Sequence, residues 1–161
     1  MKKPLDGLTT LLNLMRPNGV LKLGLYSEIA REQIIKARQF IEKNKFGSNI
    51  QDIRKCREMI KNHDDEVIQK IVKRYDFYST SNTRDLIFHV QEHRFTIPQL
   101  SEIFKKFNLE FLGFTNPDIK KKYIVNFPND KNCTSLKNWY EFEKKNKEIF
   151  IGMYNFWVRK I

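Results

Sequence analysis

The sequence is poor in cysteine and glycine and contains no long apolar run. Its two cysteines, Cys56 and Cys133, are far apart and form no CxxC pair, which excludes a disulfide framework and favours reduced thiols. No apolar run approaches the roughly 18 residues that a membrane helix needs. The first residues also lack the apolar core of a secretory signal. We therefore expect a cytoplasmic protein with no membrane partner.

The six glycines never form the GxGxxG pattern of a dinucleotide-binding loop. The chain is rich in phenylalanine instead. Its 13 phenylalanines in 161 residues predict a core of large side chains or a groove lined with rings. The formal charge of +11 invites a nucleic-acid interpretation. However, the basic residues are spread along the chain, and no RNP, zinc-finger or GXXG motif accompanies them. We therefore expect no nucleic-acid partner.

One stretch organises the rest of the chain. Arg16-Pro17-Asn18-Gly19 is typical of a tight turn, since proline presets φ and the next two residues tolerate positive φ. Residues 20–26 follow as a short, mostly apolar run, which predicts a strand buried on both faces. The apolar spacing in residues 5–15 predicts a helix that leads into this turn.

Helical patterns dominate the middle of the chain. They predict an insertion or lid over about residues 28–75, beginning with a helix capped by Ser27. Residues 76–83 resemble a polar loop, and a helical turn is favoured over a strand for residues 84–90. Further on, the sequence predicts a helix capped by Thr96, a strand at 109–114, a helix that begins near Asn116, and helices over 134–144 and from Lys147. The end, residues 154–158, is also compatible with an edge strand.

Three stretches resemble a known family. Residues 4–26, with their helix and turn, resemble the fifth-strand region of class I S-adenosylmethionine-dependent methyltransferases, where an LxPGG turn leads into the strand. Residues 76–96 contain DFYSTS and RDLIFHVQEHRFT, and they resemble bacterial methyltransferases of the type-12 kind, often fused to tetratricopeptide repeats. Residues 139–158 resemble the ending of the same proteins.

This resemblance implies an α/β fold in a single domain over residues 1–161. It would be an incomplete Rossmann-like methyltransferase sheet, made of the C-terminal strands, with a helical insertion and a helical C-terminus. Such enzymes bind their cofactor through a Gly-rich loop and a following acidic residue, and the sequence has neither. We therefore expect a substrate-side half that is inactive alone and uses S-adenosylmethionine only when a complementing half is supplied; its cofactor-binding residues stay unassigned.

The expected partners are that N-terminal half or a second copy of the chain. The alternative is a non-catalytic binding module, a remnant that docks a partner chain on an exposed sheet edge.

The resemblance also suggests site residues, each with a plainer alternative. His89 and His93 would accept a proton from the nucleophile or orient it, or they are loop histidines bonded to backbone. Tyr26 and Ser27 end the first strand, where open α/β sheets contact ligands, or they are a core residue and a helix cap. Arg84 and Arg94 would hold a carboxylate or phosphate of the substrate, or they pair with Asp85 and Glu92.

Residues 89–93 also match HxxEH, the inverted zinc-protease signature. That motif requires one continuous helix, and the helix that Thr96 begins leaves little room for it. No third ligand is evident, since the remaining histidine is His63. We therefore assign no metal site.

Overall fold

The computed structural model describes residues 3–88 and 92–161. The chain divides into two compact units. Met1–Ala30 and His93–Ile161 form the first, here called the sheet unit, and Arg31–Glu92 form the second, here called the helical unit. The sequence placed a helical insertion at about residues 28–75, and the helical unit has different bounds. Among the described residues, no helix has the length and apolar character to cross a membrane.

The sheet unit contains one open four-stranded sheet. Its strands are β1 (Val20–Ser27), β2 (Arg94–Phe95), β3 (Leu109–Phe114) and β4 (Tyr154–Lys160), in the order β2-β1-β4-β3. β2 is parallel to β1, whereas β4 is antiparallel to both of its neighbours. β1 and β3 therefore run in the same direction, with β4 between them.

The turn before β1 forms as predicted. Asn18 has a φ of 61°, and the Gly19 N–H donates to Arg16 O at 3.0 Å. The prediction that β1 is buried on both faces is wrong. Leu21, Leu23 and Leu25 point to the core, but the residues between them are exposed. β1 pairs antiparallel with β4, and antiparallel sheets commonly have one face on the core and the other in solvent. Buried and exposed residues therefore alternate along β1.

Helices cover the other face of the sheet. α1 (Pro4–Leu14) precedes β1, α6 (Ile97–Lys106) precedes β3, and α7 (Pro117–Asn126) and α8 (Leu136–Lys145) lie between β3 and β4. The prediction that Thr96 caps α6 is confirmed, and Gln99 completes a capping box with it. The largest fully buried core side chains are aromatic: Phe114, Tyr123, Trp139, Phe142, Tyr154 and Phe156.

The C-terminal segment differs from its prediction. No helix begins at Lys147, and residues 154–160 form β4. β4 is central in the sheet, so the edge-strand alternative is also wrong about its position. Its buried and exposed residues alternate with a period of two, which is typical of a strand and not of the helix predicted from Lys147.

The helical unit consists of α2 (Glu32–Lys43), α3 (Ile50–Lys61), α4 (Glu66–Gln69), two 3₁₀ turns (Lys70–Lys73 and Tyr75–Phe77) and α5 (Thr80–Ile87). The prediction that Ser27 caps the first of these helices is wrong, since Ser27 belongs to β1. The polar loop predicted at residues 76–83 is also largely wrong. Ser79 caps α5 by accepting from the Asn82 N–H at 3.0 Å, and Thr83 is buried and donates to Phe77 O.

Strands and helices thus confirm an α/β fold. Its Rossmann-like identity stays a prediction.

Candidate functional site at the carboxyl end of the first strand

The carboxyl end of β1 meets β2 in the sheet unit. Tyr26 is the direct partner of Arg94, and Ser27 is the partner of Phe95. The Glu28 N–H extends the ladder by donating to Phe95 O at 2.9 Å. Residues that are far apart in sequence therefore share one edge of the sheet, the edge at which open α/β sheets place ligands.

The accessible part of this edge is cationic and aromatic. Arg94 is partly buried and lies 3.3 Å, Nε to Oε2, from the half-exposed carboxylate of Glu28. His93 precedes it in the chain and is exposed, and the Tyr26 side chain is partly buried. A guanidinium is planar and carries five N–H donors, a geometry that matches carboxylate and phosphate groups.

The buried part of the edge is a cluster of three polar side chains. Ser27, Glu143 and Tyr154 each have no exposed surface. Ser27 Oγ donates to Glu143 Oε1 at 2.5 Å, and Tyr154 OH lies 2.7 Å from both carboxyl oxygens. Ser27 Oγ also accepts from the Ala30 N–H at 2.9 Å, which fixes the turn that follows β1. We call these three residues the buried carboxyl cluster.

Burial dominates the electrostatics of this cluster. It raises the pKa of Glu143 above its ordinary value, and the hydrogen bonds from Ser27 and Tyr154 only partly offset that effect. Burial, together with the neighbouring Glu143 carboxyl group, also raises the pKa of Tyr154. The two hydroxyl donors stabilise the carboxyl group, while burial disfavours its charged form.

Glu143 is closed to solvent, so it acts on a ligand only through Ser27 and the turn after it. We regard it as a positioning residue for the strand end. Sequence reasoning missed this role, although a signal existed. Trp139, Phe142 and Glu143 follow the i, i+3, i+4 spacing of one buried helix face, and a carboxyl group there requires a polar partner.

The sheet unit therefore brings four of the predicted site residues to one edge: Tyr26, Ser27, His93 and Arg94. Arg84 belongs to the helical unit, where it is exposed and donates from Nε to Ser48 O at 3.1 Å. His89 lies outside the described residues.

The helical unit has a buried carboxylate of its own, at Glu92. Arg31 forms a two-pronged ion pair with it, with Nε 3.0 Å from Oε1, and the side chains are 6% and 5% exposed. Arg38 Nη2 lies 3.1 Å from Glu92 Oε2 and also donates to Leu86 O. We call these three residues the arginine clasp.

The arginine clasp bears on the zinc-protease alternative. Glu92 is occupied by two guanidinium groups, and neither Glu92 nor His93 is helical. The described part of the motif thus lacks the single helix face that the zinc-protease motif needs. No group of three or more histidine, cysteine or acidic side chains arranged to hold a metal occurs among the described residues.

Comparison with models of known protein families finds no match, and comparison with curated protein sequences finds none either.

Proposed function

We propose that this chain is the substrate-side half of an S-adenosylmethionine-dependent methyltransferase. In this proposal the methyl donor is held by another segment, because the sequence contains no GxGxxG loop to bind it. We derive no step through the donor. The residues of this chain bind and orient the methyl acceptor.

The order of the first elements supports the proposal. The helix, turn and strand of residues 4–27 follow one another as the resemblance implies.

The observation that carries the proposal is the pairing of Tyr26 with Arg94 at the carboxyl end of β1. This pairing joins two of the three stretches for which the resemblance is stated, residues 4–26 and 76–96. It also gathers an aromatic hydroxyl, a guanidinium and the neighbouring imidazole of His93 within one sheet edge. Methyl transfer depends mainly on alignment of the acceptor and on exclusion of water, and this edge offers groups that can align the acceptor.

Within this proposal Arg94 binds an anionic group of the acceptor. His93, together with His89, accepts the proton of the nucleophile or orients it. The buried carboxyl cluster keeps the strand end in place.

The first experiment is titration calorimetry with S-adenosylmethionine. We expect no binding to the chain alone, and binding once a polypeptide with a GxGxG strand-loop-helix has been added and forms a complex. Tight binding by the chain alone would contradict the assignment of roles. The complex is then assayed for transfer of a labelled methyl group to small molecules and proteins of a cell extract.

The second experiment tests the site in that complex. Replacing Arg94 or His89 by Ala should lower turnover roughly ten- to a thousand-fold, the range for a lost positioning or acid–base group. Arg159→Ala is the matched control, since Arg159 also pairs with a half-exposed carboxylate, that of Glu110. If Arg94→Ala and His89→Ala leave methylation intact while lowering the melting temperature, both residues are structural and the site assignment fails.

A binding module is the second candidate, favoured by the unpaired edge of β1. β2 pairs only with Tyr26 and Ser27, so in the described part of the chain residues 20–25 have a strand on one side only. Such an edge is a template for another strand. Self-association in light scattering, or co-purification with an unrelated protein, favours the module; co-purification with a GxGxG-containing chain favours the split enzyme.

A further inference from the structure

The edge of β1 that faces away from β4 has an accessible backbone. The Glu28 N–H points to this edge, because it donates to Phe95 O at 2.9 Å. Backbone groups alternate between the two edges of a strand, so those of Lys22 and Gly24 also point to it, beyond the reach of β2. Gly24 is exposed, although a β-carbon on it would lie 2.6 Å from Met153 Sδ on the solvent face. Its exposed surface is therefore backbone at the free edge.

An apolar cavity of about 550 Å³ lies beneath this edge. Leu23 and Leu25 of β1 and Phe95 of β2 line it from the sheet, and residues of α1 and α6 line it from the helical layer. None of its described lining residues belongs to β3 or β4. Thr10 is the one polar side chain among them, and its hydroxyl group donates to Asp6 O at 3.0 Å. The cavity therefore suits apolar groups, and its volume is that of a binding pocket.

The cavity leaves the core side of β1 incompletely covered. Leu23 and Leu25 are only partly buried, although they point to the core. The core-facing residues of the neighbouring strand β4, Phe156 and Val158, have no exposed surface. Leu11, which lines the cavity from α1, is 46% exposed, so the cavity opens to solvent. The apolar packing that β4 completes on one side of β1 is missing on the other.

An extended chain fits the free edge and the cavity together. In strand addition, main-chain hydrogen bonds form along an edge and alternate side chains enter pockets beside it. Because successive side chains of a strand point to opposite faces, every second residue of an added strand would enter the cavity. A second copy of β1 fits less well. Its Leu23 and Leu25 already point into its own core, so edge-to-edge pairing would leave both cavities empty.

The other face of an added strand would lie beside a cation. Lys22 is exposed on the solvent face of the sheet, and a residue directly opposite it on a neighbouring strand shares that face. An acidic residue is favoured there, since it pairs with the ammonium group. The formal charge of +11 also attracts an acidic segment over longer distances.

We propose that the free edge of β1 binds an extended segment of a partner protein in which large apolar residues alternate with acidic ones. The apolar side chains fill the cavity, and an acidic side chain faces Lys22. This inference rests on the binding-module candidate and names the chemistry of its partner. It requires no methyl donor, so its tests and those of methyl transfer can fail independently.

The experiment uses the whole chain and a fluorescein-labelled peptide that contains Leu-Glu-Leu-Glu-Phe. The control peptide, Leu-Leu-Phe-Glu-Glu, has the same composition without the alternation. Anisotropy measures affinity, and amide hydrogen exchange locates the bound peptide. We expect the alternating peptide to bind about 10-fold or more tightly than the control, as one additional buried apolar side chain would. It should slow exchange at Lys22 and Gly24, but not in β3, which forms the other edge of the sheet.

A matched pair of variants tests the cavity. Leu11→Glu places a carboxylate at the cavity and should weaken peptide binding about 10- to 100-fold, the range for an apolar side chain that loses its pocket. Leu14→Glu is the control, because Leu14 is 81% exposed on the same helix and is not among the lining residues. Both variants add the same charge, so a difference between them reports the cavity.

A second pair of variants tests the cation, and it decides the case if Leu11→Glu fails to fold. Lys22→Gln should weaken binding of the alternating peptide about 1.5- to 5-fold, the range for one cross-strand ion pair. Lys121→Gln removes the same charge from α7, where Lys121 is 80% exposed, and should not weaken binding. Equal weakening by both lysine variants would show diffuse attraction by net charge and would overturn the pairing with Lys22.

Three further outcomes would overturn the proposal. The first is equal affinity for the alternating and the control peptide. The second is slower exchange in β3 in place of Lys22 and Gly24, or binding with no change of exchange at all. The third is a dimer of the chain alone, seen by light scattering, in which Lys22 and Gly24 are already protected; a second copy would then occupy the edge.

Discussion

The two units of this protein each bury one glutamate and stabilise it in different ways. In the sheet unit Glu143 receives hydrogen bonds from two hydroxyl groups. In the helical unit Glu92 receives ion pairs from Arg31 and Arg38. Burying a carboxylate is costly, and a protein can offset that cost by protonation or by a counter-charge.

The difference has consequences for each unit. The buried carboxyl cluster responds to pH, because its carboxyl group titrates with a raised pKa. The arginine clasp responds to the loss of a charge, because removing one of its members takes a counter-charge away from a buried ion. Each unit also holds one of the chain's two cysteines, both buried, so thiol alkylation reports on the units separately.

The largest expected effect is that of Glu92→Ala. It leaves two guanidinium groups beside an empty buried position, at a cost of about 3 to 5 kcal/mol. Burial raises the pKa of Cys56 to about 12, so this thiol is inert while the helical unit is folded. We expect iodoacetamide to modify Cys56 in this variant much faster than in the parent, with Cys133 still protected.

The control for that prediction is Glu58→Ala, since Glu58 is 67% exposed and its pair with Lys61 is a surface pair. It should change the Cys56 rate little. Simultaneous exposure of Cys56 and Cys133 in Glu92→Ala would mean that the units unfold together.

Glu143→Ala should have the next largest effect, about 2 to 4 kcal/mol, because it leaves the buried hydroxyls of Ser27 and Tyr154 without their acceptor. Here Cys133 becomes the reactive thiol. Glu141→Ala on the same helix is the control, since Glu141 is 46% exposed. Unchanged Cys133 protection in the Glu143 variant would show that the buried carboxyl cluster contributes little to stability.

The third prediction concerns pH. A carboxyl group with a raised pKa binds more protons in the folded than in the unfolded state, so its contribution is largest below the ordinary pKa and declines as pH rises through the folded value. The urea midpoint should therefore fall as the pH rises above 4.5, the ordinary pKa of a glutamate, by an amount that Glu143→Gln removes. Parallel curves for parent and variant would argue against this assignment.

The smallest effect is expected for Lys160→Met. Lys160 Nζ donates to Leu12 O at 2.8 Å and Met15 O at 3.0 Å, and so places a cation at the C-terminus of α1. Its loss should cost about 0.5 to 2 kcal/mol. Amide hydrogen exchange should be faster in the variant than in the parent for α1 but not for α6. If α1 exchanges at the same rate in both proteins, the cap is not needed.

Sequence reasoning succeeded where a local signal determines the structure. Asn18 and Gly19 specify their turn, Thr96 and Gln99 specify a helix start, and the apolar alternation of residues 109–114 specifies β3. It failed where the position or the burial of a strand depends on residues that are distant in the sequence. Nothing local shows that β4 lies between β1 and β3, or that β1 has a solvent face.

The candidate site shows the same division. The strand end at Tyr26 and Ser27 follows from the apolar run and its length. The pairing with Arg94 and the contact with Glu143 are long-range, and residue spacing does not predict them.

From the arginine clasp we expect a particular order of folding. Arg31 and Glu92 are the first and last residues of the helical unit, and their ion pair holds its two ends together. β2 has only two residues and pairs with a strand that is distant in sequence, so by itself it cannot repay the entropy of closing so long a loop. A helical unit that folds first and joins its own ends removes most of that entropy cost. The parallel pairing of Ser27 with Phe95 should then form as fast as a pairing between two strands that a short loop connects.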